Sequence, residues 1–216
     1  MGNDIEFLSD RGVLATTLAP DAGLRAREAK VIKAMAAVCA ERTYAATSIT
    51  EVVRRAGISS RTFYKLFAGK RACFDATLAA FAAELESAVE VARADAGEDS
   101  WLAEVRASIA AILAVSAAKP DFAKLAFVES IGVDPNLIEH YRGALAAALM
   151  RRPTPPGDRP PPGTRAAFGR AQLLIADQIT SGRAAELPEL LPDLVYIALS
   201  PFTGPEEALR QAQAAR

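Results

Sequence analysis

From Arg27 to Arg42 the apolar positions Val31, Ile32, Met35, Val38 and Cys39 recur at intervals of three and four, the pattern of a helix with one buried stripe. Ser48-Ile49-Thr50-Glu51 then forms a capping box. The serine oxygen takes an orphan amide and the glutamate reaches back to the cap's own N–H, so a second helix starts at Ile49. Its inward set is Ile49, Val52, Val53 and Ala56, and Gly57 supplies the left-handed stop that other residues resist. A third helix runs from Ser60 to about Phe67, with Phe63, Leu66 and Phe67 as its buried side. After Ala68-Gly69, Lys70 opens a longer helix through Phe74, Leu78, Phe81 and Leu85 to about Val91.

Gly97 and Glu98 mark a turn. Beyond it, further helices are predicted over Ser100 to Ala118, Asp121 to Ile131, Pro135 to Arg151, Thr164 to Gly182, Glu186 to Ser200 and Pro205 to Ala215. Prolines 153, 155, 156, 160, 161 and 162 exclude a helix between them and predict a semi-extended loop over 153–163. Residues 1–24 hold Asp10, Gly12, Pro20, Asp21 and Gly23 with no sustained period, and read as a flexible leader with at most a short helical piece. The fold expected is all-α. A three-helix helix-turn-helix domain over 25–72 precedes a larger helical domain over 73–216.

Composition agrees with that class. Hydrophobic residues make up 51% of the 216, enough for a globular core, and the abundance of alanine with only 6% aromatics favours helix by propensity. The net charge of −1 hides a lopsided distribution. Between Arg25 and Arg71 there are 11 Lys or Arg against 3 Glu, a balance of +8; the remainder holds 14 against 23, or −9. A basic block joined to an acidic body points to a polyanion met by one part only. Cys39 and Cys73 fit no metal-ligand spacing and read as small packing residues. The N-terminus lacks the basic and apolar regions of a secretory signal. No apolar run approaches the roughly 18 to 20 residues of a membrane span. The expected location is the cytoplasm.

Two short helices joined by a tight glycine turn, behind a first helix, make a helix-turn-helix whose last helix enters the major groove of DNA. With Phe63, Leu66 and Phe67 turned inward, the third helix presents hydroxyls and cations outward. Arg61 can grip guanine O6 and N7 in bidentate fashion, Thr62 can meet a thymine methyl, and Tyr64 and Lys65 can reach phosphates. Lys70, in the first turn of the next helix, is placed to hold a phosphate together with the unpaired backbone amides. A nucleotide P-loop at Gly69-Lys70 is excluded because Tyr64 and Arg71 stand where that motif needs glycine and Ser or Thr. The full candidate DNA-contacting set is Ser48, Thr50, Ser59, Ser60, Arg61, Thr62, Tyr64, Lys65 and Lys70.

Ser48-Ile49-Thr50-Glu51-Val52-Val53, Ala56-Gly57-Ile58-Ser59 and Thr62-Phe63-Tyr64-Lys65-Leu66-Phe67, with Lys70 following, resemble the DNA-binding region of TetR-family transcriptional regulators over about residues 27 to 81. The stretch Leu199-Ser200-Pro201-Phe202 with Gly204-Pro205-Glu206-Glu207-Ala208 is similar to the tail of many members. Arg61 departs from the small residue often found there, and Arg71 from a frequent acidic one. The resemblance implies a homodimer built on the last two long helices and a small-molecule pocket in the second domain. It also implies a regulator, more often a repressor, released from a palindromic operator by its effector.

Independently, the apolar residues from Ala171 to Ile179 and from Leu187 to Leu199 exceed what one buried side needs, so a partner helix would cover the excess. Trp101, Phe122, Phe127, His140, Tyr141 and Gln178 mix aromatic walls with polar handles and are the candidate ligand contacts. No metal or cofactor is called for. His140, the only histidine, has no nucleophile identifiable beside it, which leaves an enzyme without a catalytic constellation. The remaining alternative is a DNA-binding regulator or architectural protein controlled by a protein partner. A filled second domain would favour that reading, and an enclosed cavity of a few hundred Å³ the small ligand.

Overall fold

The computed structural model describes residues 11–96, 100–133 and 161–215, and side chains from residue 23 onward. The described residues form helices without a strand. They are α1 (Arg11–Arg42), α2 (Ile49–Ala56), α3 (Ser60–Leu66), α4 (Lys70–Asp95) and α5 (Trp101–Ala118). An α6 follows in three parts, Pro120–Lys124, a π turn at Leu125–Glu129, and Ser130–Val133. After the undescribed stretch come α7 (Thr164–Thr180), a 3₁₀ segment at Ala184–Leu190, α8 (Leu191–Thr203) and α9 (Pro205–Gln213). The helix predicted over Pro135 to Arg151 and most of the proline-rich loop lie outside the described residues.

Local chemistry sets most boundaries. Ser48 caps α2, its hydroxyl accepting from the Glu51 amide while the Glu51 carboxylate accepts from the Ser48 N–H, and Gly57 ends the helix at φ 65° and ψ 36°. Ser59 and Ser100 cap α3 and α5 through their hydroxyls. Three expectations need correcting. The backbone of α1 is helical from Arg11, so the first helix reaches back into the segment read as a leader; the Leu and Ala content there supports helix in spite of the punctuating residues. The single helix expected from Glu186 is a 3₁₀ segment and then α8, because Pro188 and Pro192 lack the N–H that a continuous α-helix needs. Finally, α5 does have the length and apolarity of a membrane span, 18 residues at a mean hydropathy of 1.5. It is instead a packed helix: Val105, Ile109, Ile112 and Leu113 are buried, and Glu104 pairs with Arg93 of α4 at 3.0 Å.

Two apolar clusters organise the molecule. The first joins α1, α2, α3 and the start of α4 around Val31, Met35, Val52, Phe63, Phe67 and Phe74. The second gathers Phe81, Leu113, Ile175, Leu187, Val195 and Leu199 from α4, α5, α7, the 3₁₀ segment and α8. Helix α6 serves both: Leu125 is buried in the first cluster, while Phe127 and Val128 pack on the second. Cys39 and Cys73 are buried free thiols, as their reading as packing residues requires. Burial raises both thiol pKa values, that of Cys73 to about 12, so neither supplies a thiolate near neutrality.

Candidate nucleic-acid interface

The rotational setting of α3 decides what this helix can touch. Phe63 has no exposed surface and lies 5.6 Å, ring centre to ring centre, from the buried Phe67. Arg61, Tyr64 and Lys65 fall at i, i+3 and i+4 and therefore share a face. All three are exposed, Tyr64 to 59%. Arg61 and Lys65 form no ion pair or hydrogen bond among the described residues, which leaves a bidentate fork and an ammonium free for an external anion or base edge.

The serine and threonine candidates divide by duty. Ser59 and Thr62 serve the helix start, with Ser59 Oγ accepting the Thr62 amide at 3.2 Å and lying 3.0 Å from Thr62 Oγ1. Ser48 Oγ donates to the Glu51 carboxylate at 2.9 Å. The Ser48 hydroxyl, then the backbone amide, hold Glu51 below the usual carboxylate range. Thr50 and Ser60 are exposed. Arg54 was not singled out by the sequence reading; it stands one turn after Thr50 on the same face of α2, exposed and with no ion pair or side-chain hydrogen bond among the described residues. The signal was present in the i, i+4 spacing. Arg55 and Arg42, by contrast, are engaged with Glu41 at 2.6 Å and Glu51 at 3.0 Å. Arg71 stands in the first turn of α4, where a cation opposes the helix dipole, and pairs with Asp75 at 2.8 Å.

Lys70 departs most from expectation. Its ammonium donates to the carbonyls of Tyr44 and Thr47, each at 3.0 Å, reaches that of Ala45 at 3.5 Å, and sits 4.4 Å from the Tyr44 ring centre. The charge expected to hold a phosphate is directed into the loop between α1 and α2. That loop needs holding. Thr43 has a φ of 86°, a left-handed conformation that costs a β-branched residue on the order of 1–3 kcal/mol.

The ligand candidates do not converge. Trp101 meets Phe202 edge-on at 5.7 Å, Phe122 packs on Phe81 at 5.8 Å, Phe127 is half-buried, and the buried Gln178 donates to Glu186 at 3.4 Å. His140 and Tyr141 lie outside the described residues. Among the described residues of the second domain there is a half-open apolar groove between α5, α7 and α8, with about 520 Å³ empty when its solvent mouth is included. Ile109, Ile112, Phe168, Ile175, Leu194 and Ile197 line it, and Thr164 is its one polar side chain. These residues were missed because an apolar stripe facing a groove has the same period as one facing a core.

Comparison with known proteins agrees with the geometry. No curated protein matches the chain. Among solved structures, that of the fatty acid degradation regulator FadR from Bacillus halodurans is similar at TM-score 0.59 and 14% identity, covering 82% of this chain and 95% of that one. A TetR family transcription regulator from Marinobacter aquaeolei VT8 is similar at TM-score 0.58 and 15% identity, covering 88% and 95%. At such identities these neighbours establish the all-α fold, a helix-turn-helix followed by a helical domain. Residues 31–77 match the sequence profile of bacterial regulatory proteins of the tetR family. That segment contains the capped helix pair and the outward face of α3 just described, so the likeness to the tetR family of bacterial regulatory proteins rests on the helix-turn-helix itself.

Proposed function

We propose that this protein is a homodimeric repressor, reading a palindromic operator through α3 and leaving it when a small apolar molecule enters the second domain. In this reading residues 25–72 are the DNA-binding domain and 73–216 the effector and dimerisation domain. The observation that carries it is the outward face of Arg61, Tyr64 and Lys65 over a buried Phe63. Arg61 reads a base, while Lys65 and Tyr64 set the register on phosphates. Arg61→Ala is expected to lose about 10- to 100-fold on the selected site, the equivalent of about 1–3 kcal/mol of base discrimination, and much less on random DNA. Titration of both duplexes checks this. Equal losses on the two would remove the base-reading role.

Dimerisation is supported by apolar surface on the last helices. Leu173 of α7 is 68% exposed and Leu209 of α9 51%, with Tyr196 of α8 also in solvent. A second copy of the same face would bury them, and two recognition helices then meet half-sites about 34–36 Å apart. Leu173→Glu places a charge where the partner would desolvate it, so the dimer is expected to weaken by about 100-fold or more. Sedimentation of the variant as an unchanged dimer would put the interface elsewhere. Effector release is supported by the groove, whose apolar walls and single hydroxyl suit a largely uncharged hydrocarbon. Because α7 forms both a groove wall and part of the proposed interface, occupancy would bias the spacing of the two DNA-binding units.

A further inference from the structure

The backbone of Tyr44 is held on both of its polar groups. Its carbonyl accepts from Lys70, and its N–H donates at 2.8 Å to the carboxylate of Glu129, the last residue of the π turn in α6. Just before that turn, the Lys124 ammonium donates at 2.6 Å to the carbonyl of Ala40 in the last turn of α1. Two polar contacts from α6 therefore seize the end of α1 and the strained loop that leads into the helix-turn-helix.

The π turn is what allows one helix to make both. In a regular α-helix, residues five apart point about 140° away from each other. Here the Ser130 N–H bonds the Leu125 carbonyl five residues back, and the extra residue in that turn reduces the divergence, so that Lys124 and Glu129 both reach α1 and its loop. Leu125, between them, is buried in the first apolar cluster. Apolar packing alone permits rocking. Two directional hydrogen bonds on either side of it fix an angle.

We infer that Glu129 and Lys124 are positioning residues for DNA recognition: they fix the orientation of the helix-turn-helix on the second domain and thereby the half-site spacing that the dimer accepts. The spacing part rests on the dimeric palindrome reading proposed above. One base pair more or less between half-sites moves the second site by about 3.4 Å and turns it by about 34–36° around the duplex. A unit held at a fixed angle cannot follow that change, whereas a unit that rocks on Leu125 can.

The test uses the full chain as wild type, Glu129→Ala, Glu129→Gln and Lys124→Ala, titrated against the wild-type operator with its spacer shortened or lengthened by one and two base pairs. The wild type should lose tenfold or more per step. Glu129→Ala and Lys124→Ala should lose less than threefold, while all proteins respond equally to a base change within a half-site. Glu129→Gln, whose amide oxygen still accepts from Tyr44, should restore the narrow preference. Alanine variants with the wild-type spacing profile would overturn the inference. Should Glu129→Ala fail to fold, Lys124→Ala decides alone by the same criterion. If the wild type selects no two-fold site, the dimeric reading fails instead, and hydrogen exchange at the Tyr44 amide tests the contact. Exchange at least tenfold faster in Glu129→Ala than in the wild type and Glu129→Gln, or in Lys124→Ala than in the wild type if Glu129→Ala does not fold, supports the hold on the loop, and an unchanged rate overturns it.

Discussion

Phe63→Ala is expected to lower stability by about 3–5 kcal/mol, measured by denaturant unfolding of the full chain. The ring is fully buried between α1, α2 and Phe67, and few neighbours can close the space, because Val31, Met35, Val52 and Phe74 are themselves at zero exposure. Loss on this scale is a large part of an ordinary domain's stability of about 5–15 kcal/mol, so DNA binding should fall with it. Osmolyte or low temperature, either of which restores folding, should restore part of the binding. A change below about 1 kcal/mol would mean that the ring does not anchor α3, and the face assigned to DNA would have to be redrawn.

Lys70→Met is the second large effect, and its sign on salt dependence separates two roles. The substitution keeps most of the apolar stem and removes the charge from the carbonyls of Tyr44 and Thr47. Charged hydrogen bonds contribute about 1.5–3 kcal/mol each, and partial exposure puts these at the low end, so a total loss near 2–3 kcal/mol is expected in thermal melting. The slope of log K against log salt should stay unchanged, since the ammonium is committed to the loop and not to a phosphate. A slope shallower by about 0.9 per protein site, with stability intact, would show that Lys70 turns to the duplex on binding.

Much of this is legible in the sequence. The capping box at Ser48 and Glu51, the left-handed Gly57 and the spacing of Phe63 and Phe67 are local signals, each fixed by a few adjacent residues, and they place α2 and α3 closely. What was not legible depends on residues far apart in the chain. Lys70 looks like a phosphate ligand until the loop 26 residues earlier is folded against it. Glu129 looks like an ordinary surface glutamate until a π turn carries it to a backbone amide 85 residues away. The groove was not legible for a related reason: it is walled largely by aliphatic side chains whose period matches that of the core, whereas Trp101, Phe122, Phe127 and Gln178 stand out by residue type and do not line it.

Division of charge follows the same logic. The basic block from Arg25 to Arg71 reads as a uniform positive segment, yet Arg42, Arg55 and Arg71 are spent on Glu51, Glu41 and Asp75. The cations left outward on α2 and α3 are Arg54, Arg61 and Lys65, and Arg27, Lys30 and Lys33 are exposed on α1, so the positive surface of the block is carried by about half of its cations.

Selection of bound duplexes from a random pool by the full-length wild-type protein tests the central claim most directly. If the outward face of α3 reads DNA from a dimer, the recovered sequences share a two-fold motif whose half-sites lie about one helical turn apart, or a multiple of it, and Arg61→Ala recovers the same arrangement with one base position relaxed. A recovered pool no different from the starting one, at low ionic strength where any such contact is strongest, would contradict it.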